Sequence, residues 1–157
     1  MNGGPTAADG CFTCSFNGLP DRPIREEILQ TGLWRLAHAF GTSVAGWLVL
    51  VPLRHITSIG ELTAAEGAEL GGLLADASRA VEPVTGCQKT YVAMFAEKDG
   101  FGHVHFHLIP RAADLSPELR GPRVFALLNS PPDQRLTDTD ADRISTSIRA
   151  ELCRIRR

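Results

Sequence analysis

The 157-residue chain has no apolar run long enough to cross a membrane: the longest, Trp47 to Leu53, has the length of a strand and contains a proline. It has no basic excess either. Sixteen Lys and Arg stand against 18 Asp and Glu, a net charge of −2, so nothing points to a nucleic-acid partner. The opening MNGGPTAADG is small and polar and carries no signal peptide. Residues 1–10 therefore read as a flexible leader, and the chain is expected in the cytoplasm. Cysteine is scarce. Four of them, Cys11, Cys14, Cys87 and Cys153, make no disulfide framework in a cytosolic chain of this length. There are no internal repeats and no low-complexity tract. What remains is an ordinary globular composition, 43% hydrophobic, long enough for one domain with a real core over residues 11–157.

Histidine is also scarce, yet three of the five fall in GFGHVHFHLIPR, at His103, His105 and His107. Alternate side chains of a strand share a face. The spacing thus predicts a strand with Val104, Phe106 and Leu108 toward a core and three imidazoles on the other face. Gly100 and Gly102 let the chain bend before it, and Pro110 is expected to stop it. A solvated face would carry Lys, Thr or Glu instead. Two functional readings fit: metal ligation by a His-x-His pair, or a nucleophilic histidine with two supporting ones. The Cys11–Cys14 C-x-x-C has three readings: a redox pair, half of a zinc site, or chance. A redox pair belongs at a helix start after a strand, and the turn-rich SFNGLPDRP that follows speaks against it.

Along the rest of the chain, residues 31–39 alternate loosely and read as a strand, and GTSVAG as a turn. Trp47 to Pro52 is a nearly continuous apolar run, as in a central strand covered on both faces. Residues 61–82 read as a helix, with Thr63 and Glu66 at capping-box spacing and Leu70, Leu73, Leu74, Ala77 and Val81 on one face. Gly67, Gly71 and Gly72 each cost that helix about 1 kcal/mol against alanine, so packing must hold it. Lys89 to Phe95 has strand composition. The segment from Arg111 to Asp133 is irregular. A last helix spans about Thr137 to Ile155, with arginines at its C-terminal end where the helix dipole favours cations. Strands outnumber helices and neighbour each other in sequence, which predicts an α+β fold with an antiparallel sheet. Trp34 and Trp47 read as core and His38 as a strand residue.

HVHFHLIPR resembles the signature of the histidine triad family, in which three histidines alternate with apolar residues. GWLVLVPLRHITSIGELTAAE resembles a second hallmark, a strand ending in proline and a basic residue before His55, then a loop into the long helix. CFTC resembles the C-x-x-C that some branches carry. The similarity spans roughly Cys11 to Arg111, and HFHLIPR is most similar to branches that handle dinucleoside polyphosphates. The resemblance implies a five-stranded antiparallel sheet with a long helix and a C-terminal helix, usually in a homodimer. It implies a nucleotide-type substrate and nucleotidyl hydrolase or transferase chemistry, on dinucleoside polyphosphates or nucleoside phosphoramidates, with His105 attacking the α-phosphorus. It also implies a structural zinc on Cys11, Cys14, His55 and His103.

The residue types suit that chemistry. An imidazole with an ordinary pKa of about 6.5 is mostly unprotonated near pH 7, and one of its nitrogens attacks if the other carries the proton. A backbone carbonyl on the strand could hold that proton. His103 and His107 would lie roughly 7 Å away along a strand, flanking a phosphate group. His107 would donate to a non-bridging oxygen or the leaving group. Arg111 adds positive charge or makes a structural ion pair. Two departures stand out. Where relatives place an aspartate that holds the ribose hydroxyls, this chain has Ala39 and Phe40. Before the triad, Asp99 is the nearest polar candidate for substrate contact, and its charge would oppose a phosphate. A non-catalytic nucleotide-binding or scaffold protein, and a metal-dependent hydrolase ligating through His103 and His105, are the alternatives.

Overall fold

The computed structural model describes residues 10–157, so the leader expected over residues 1–10 lies outside them except for Gly10. In chain order the elements are α1 (Phe12–Asn17), β1 (Leu29–Gln30), β2 (Trp34–His38), β3 (Leu48–Pro52), α2 (Ala64–Thr85), β4 (Lys89–Ala93), β5 (Phe106–Arg111) and α3 (Asp138–Ile155). The five strands form one sheet in the order β1-β2-β3-β5-β4, and every neighbouring pair is antiparallel. The expected α+β architecture holds. Among the described residues no helix is long and apolar enough to cross a membrane.

The sheet is covered on both faces, which explains why β2 and β5 are buried along their whole length. On one face Trp34, Leu36, Leu48, Leu50, Phe106 and Leu108 meet Leu73, Ala77 and Val81 of α2 and Ile148 and Leu152 of α3. Each Val, Leu, Ile or Phe among them that is fully withdrawn from water contributes about 2 kcal/mol. On the other face Ala39, Trp47 and Ile109 pack under Val124 and Phe125, which come from the irregular segment after β5. That segment is a series of 3-10 turns at Pro117–Leu119, Gly121–Leu127 and Pro132–Gln134.

The capping box at α2 is present: the Thr63 hydroxyl accepts from the Glu66 amide, and the Glu66 carboxylate accepts from the Thr63 amide. Glu66 also takes two hydrogen bonds from Arg54, at 3.2 and 2.8 Å. The Arg54 guanidinium, seconded by the backbone amide of Thr63, holds the Glu66 carboxyl down at about 2 despite its burial. Arg54 thereby fastens the loop bearing His55 to the start of α2. Gly67, Gly71 and Gly72 lie on the exposed side of α2 with nothing near a would-be Cβ, so the helix is held by its opposite face rather than by close approach at the glycines.

The histidine strand starts later than its alternation predicts. Its ladder begins at Phe106, opposite Leu50 of β3, and runs through Pro110 to Arg111. Past Leu108 it has only β4 beside it, an edge-like setting in which a proline without N–H is tolerated. Before Phe106 the ladder is replaced by other bonds: the Val104 amide donates to the Ile56 carbonyl, and the His103 ring takes the Pro52 carbonyl. Val104, Phe106 and Leu108 still enter the core as expected.

Candidate functional site

Cys11, Cys14, His55 and His103 converge. One ligand atom from each lies within 4.8 Å of all the others. Cys14 Sγ is 3.2 Å from His55 Nδ1 and 3.5 Å from His103 Nδ1, and Cys11 Sγ is 3.7 Å from His103 Nδ1. A tetrahedron with Zn–S of about 2.3 Å and Zn–N of about 2.0 Å has sulfur–nitrogen edges of about 3.5 Å. These three separations match the edges of a zinc tetrahedron, and the four donors as a set, spread over up to 4.8 Å, would draw in slightly around the ion. The protonation pattern fits too. A carbonyl only accepts, so the His103 Nε2 that faces the Pro52 carbonyl at 2.9 Å carries the proton, and Nδ1 turns its lone pair to the cysteines. Burial holds the His103 imidazole neutral, with a pKa of about 4; the Pro52 carbonyl opposes this only in part. Four protein donors leave no open position.

Next to this centre the two remaining triad histidines take opposite tautomers. His105 Nδ1–H donates to the His103 carbonyl at 2.8 Å, which leaves Nε2 with its lone pair. His107 Nδ1 instead accepts from the indole N–H of Trp47 at 3.0 Å, which puts the His107 proton on Nε2. The two rings are 4.8 Å apart at an interplanar angle of 76°. Burial, seconded by His105, lowers the His107 pKa to about 3, so this ring stays neutral across the physiological range and donates without titrating. Trp47 is wholly buried, as its apolar setting predicts. Its hydrogen bond was not anticipated, although a buried indole N–H is a donor that needs a partner.

His105 and His107 line a cavity of about 410 Å³, within the range of small-ligand sites. Two aromatic pairs line it: Phe40 and Phe101, with ring centroids 5.8 Å apart, and Phe95 and Phe125, at 5.3 Å. Positive charge comes from Lys98 and Arg135. Arg135 is steadied by its Nε–H donating to the Ser130 carbonyl at 2.7 Å, and no carboxylate among the described residues pairs with either cation. Arg111 is not at the cavity. Four residues beyond His107, about 13 Å along the strand, it is buried and donates to the Gln88 side chain. Asp99 is exposed and does not line the cavity; its neighbours Glu97 and Lys98 do. His38 closes the β2–β3 turn, its Nδ1–H on the Ala39 carbonyl and its Nε2 accepting from the Gly46 amide.

No protein-family model matches the sequence, and no curated protein matches it either. Solved structures do match in three dimensions. A hypothetical histidine triad nucleotide-binding protein of Sulfolobus tokodaii strain7 aligns over 94% of this chain and 95% of its own, at 15% identity and a TM-score of 0.72. A zinc-bound histidine triad family protein of Mycobacterium smegmatis aligns over 93% and 95%, at 17% identity and a TM-score of 0.67. This is the histidine triad fold. A histidine triad protein of Bradyrhizobium japonicum shares it as well, at 22% identity over 80% of this chain and 89% of its own, with a TM-score of 0.64. At such identities the histidine triad architecture is common to these chains while most side chains have changed. Phe40, Trp47, Phe125 and Arg135 escaped the motif because they come from a turn, a strand start and an irregular tail, where no repeating pattern marks them.

Proposed function

We propose that the protein is a nucleotidyl hydrolase or transferase in which His105 is the nucleophile. The observation that carries this reading is the bond from His105 Nδ1–H to the His103 carbonyl, which leaves Nε2 unprotonated at the cavity. Nε2 forms a bond to the α-phosphorus of a nucleoside phosphate derivative, and the bond to the leaving group breaks with its electron pair. His107 Nε2–H donates to a non-bridging oxygen. Water or another acceptor then attacks phosphorus, the P–N bond breaks, and the imidazole is restored. The aromatic lining suits a planar base, and Lys98 and Arg135 supply positive charge for the phosphates. The histidine triad relative of Sulfolobus tokodaii, described as nucleotide-binding, supports the ligand class. In the same reading the protein is a cytoplasmic homodimer, and Cys11, Cys14, His55 and His103 hold a structural zinc that cross-links the chain.

Rapid quench with a substrate labelled at the α-phosphate tests the mechanism. The label is expected on the peptide containing His105. Inversion of configuration at phosphorus with no labelled peptide indicates a single displacement and ends this account.

Trp47 gives a second test. Trp47→Phe keeps an aromatic ring but removes the donor that fixes the His107 tautomer. Either Nδ1 stays buried and unpaired, at a cost of about 1–3 kcal/mol, or the proton moves to Nδ1 and Nε2 stops donating. The expected result is a fall in kcat of about 10-fold to 100-fold with zinc content unchanged. A kcat within twofold of wild type removes Trp47 from the mechanism.

A further inference from the structure

The six-residue helix α1 carries both cysteines of the metal cluster, yet a helix this short has no stability of its own. It is held at both ends. At its start Cys11 Sγ accepts from the Cys14 amide at 3.4 Å. At its end Arg22 donates to the carbonyls of Phe16, Asn17 and Leu19 at 3.2, 3.0 and 2.9 Å. The last residue, Asn17, is bonded through both ends of its amide. Nδ2 donates to the carbonyls of Pro52 and Leu53 at 3.2 and 3.4 Å, and Oδ1 accepts from Arg35 Nε at 2.8 Å. The amide is oriented without ambiguity, because the two carbonyls only accept and the guanidinium only donates.

Pro52 is the point of convergence. Its carbonyl accepts from Asn17 and from His103 Nε2, one bond for each lone pair. The cysteine-bearing helix and the ligating histidine thus hang from one oxygen at the end of β3. Arg35 sits opposite Val51 of the same strand, only 3% exposed, with its charge met by Glu26 at 3.5 Å. A buried arginine in mid-sheet is an expensive choice for filling space. It holds two groups: Nε fixes the Asn17 amide from behind, and Nη1 donates to the Glu26 carbonyl.

We infer that Asn17 and Arg35 are positioning residues for the metal centre, setting the distance between the two cysteines and His103 through the shared Pro52 carbonyl. Groups that orient metal ligands in this way typically change metal affinity by about 10-fold to 100-fold when removed. The inference rests on the zinc reading of the cluster and is independent of the His105 chemistry.

Zinc affinity, measured by competition with a chromophoric chelator on the full chain, tests it. Asn17→Leu, which keeps the size and loses every hydrogen bond, is expected to weaken zinc binding about 10-fold to 100-fold. Asn17→Asp is expected to do the same, because its oxygens face two carbonyls. Arg35→Met follows them; should it fail to fold, Asn17 decides alone, since it lies on α1 outside the main core. Leu152→Ala, in the core on α3 and away from the site, is the control: it lowers the melting temperature and keeps the zinc affinity. Asn17→Leu within twofold of wild type, or an equal loss in Leu152→Ala, overturns the inference and leaves the metal centre standing. A wild-type chain that takes up no zinc overturns both.

Discussion

His105→Ala is expected to lose turnover by at least about 10⁴-fold while nucleotide binding and the melting temperature stay close to wild type. The size of the loss follows from the division of labour in the cavity. His107 is neutral, and its Nδ1 lone pair is occupied by the Trp47 indole. His103 spends Nε2 on the Pro52 carbonyl and turns Nδ1 to the cysteines. Only His105 presents an imidazole lone pair to the cavity, held there by the His103 carbonyl. Removing it should leave an aromatic pocket, with Lys98 and Arg135 in its lining, that binds and does not react. The fold should tolerate the change, because His105 is half-buried at the cavity wall rather than in the core. Steady-state assays with dinucleoside polyphosphates and nucleoside phosphoramidates, beside calorimetric binding of a mononucleotide, check it. Activity within a few-fold of wild type would assign the nucleophile elsewhere. A wild-type chain that binds nucleotide and turns nothing over favours the scaffold alternative.

The triad strand shows how far a pattern reaches. Alternation correctly sent Val104, Phe106 and Leu108 into the core, and His105 and His107 line the cavity instead. It did not show that His103 and His105 precede the ladder. The Val104 amide between them donates to the Ile56 carbonyl and the His103 ring to the Pro52 carbonyl, both from a segment about fifty residues earlier. Thr63 and Glu66 were legible as a cap because capping is local; Glu66's second task, gripping Arg54, was not, because it depends on where the preceding loop returns. The two-residue β1 carried no periodicity to read. The sequence left Arg111 between adding charge at the site and making a structural pair, for a related reason. Its nearness to the histidines in sequence suggested nearness in space, but a strand carries it away, while Arg135 is brought to the cavity by a tail whose Leu136 amide donates to the Thr42 carbonyl at 3.0 Å. Local chemistry reads out of sequence; partners supplied by chain return do not.

Replacing Cys11 and Cys14 together by serine should abolish zinc binding and lower the melting temperature by about 10 to 20 °C. The estimate comes from chain topology. A metal joining Cys11 to His103 closes a loop of 92 residues, and by analogy with a covalent cross-link of that span the unfolded chain is restricted by about 4–5 kcal/mol. For a domain of this size each kcal/mol moves the midpoint by about 2–4 °C. Two thiolates with two neutral imidazoles cancel the charge of a divalent zinc, so the centre can be buried without an uncompensated ion. Without metal the same four side chains are two thiols and two imidazoles, which bond weakly and close no loop. The effect on catalysis should be smaller and indirect. The carbonyl that orients His105 belongs to His103, so loosening His103 lets the His105 ring turn, and a loss in kcat of about tenfold is expected, far below that of His105→Ala. Elemental analysis of protein purified without added metal should give about one zinc per chain. A metal-dependent hydrolase would behave otherwise: its rate would vanish with the metal and change with the identity of a replacement ion. A metal-free native chain whose stability responds neither to zinc nor to the double substitution would leave Cys11 and Cys14 as buried thiols and nothing more.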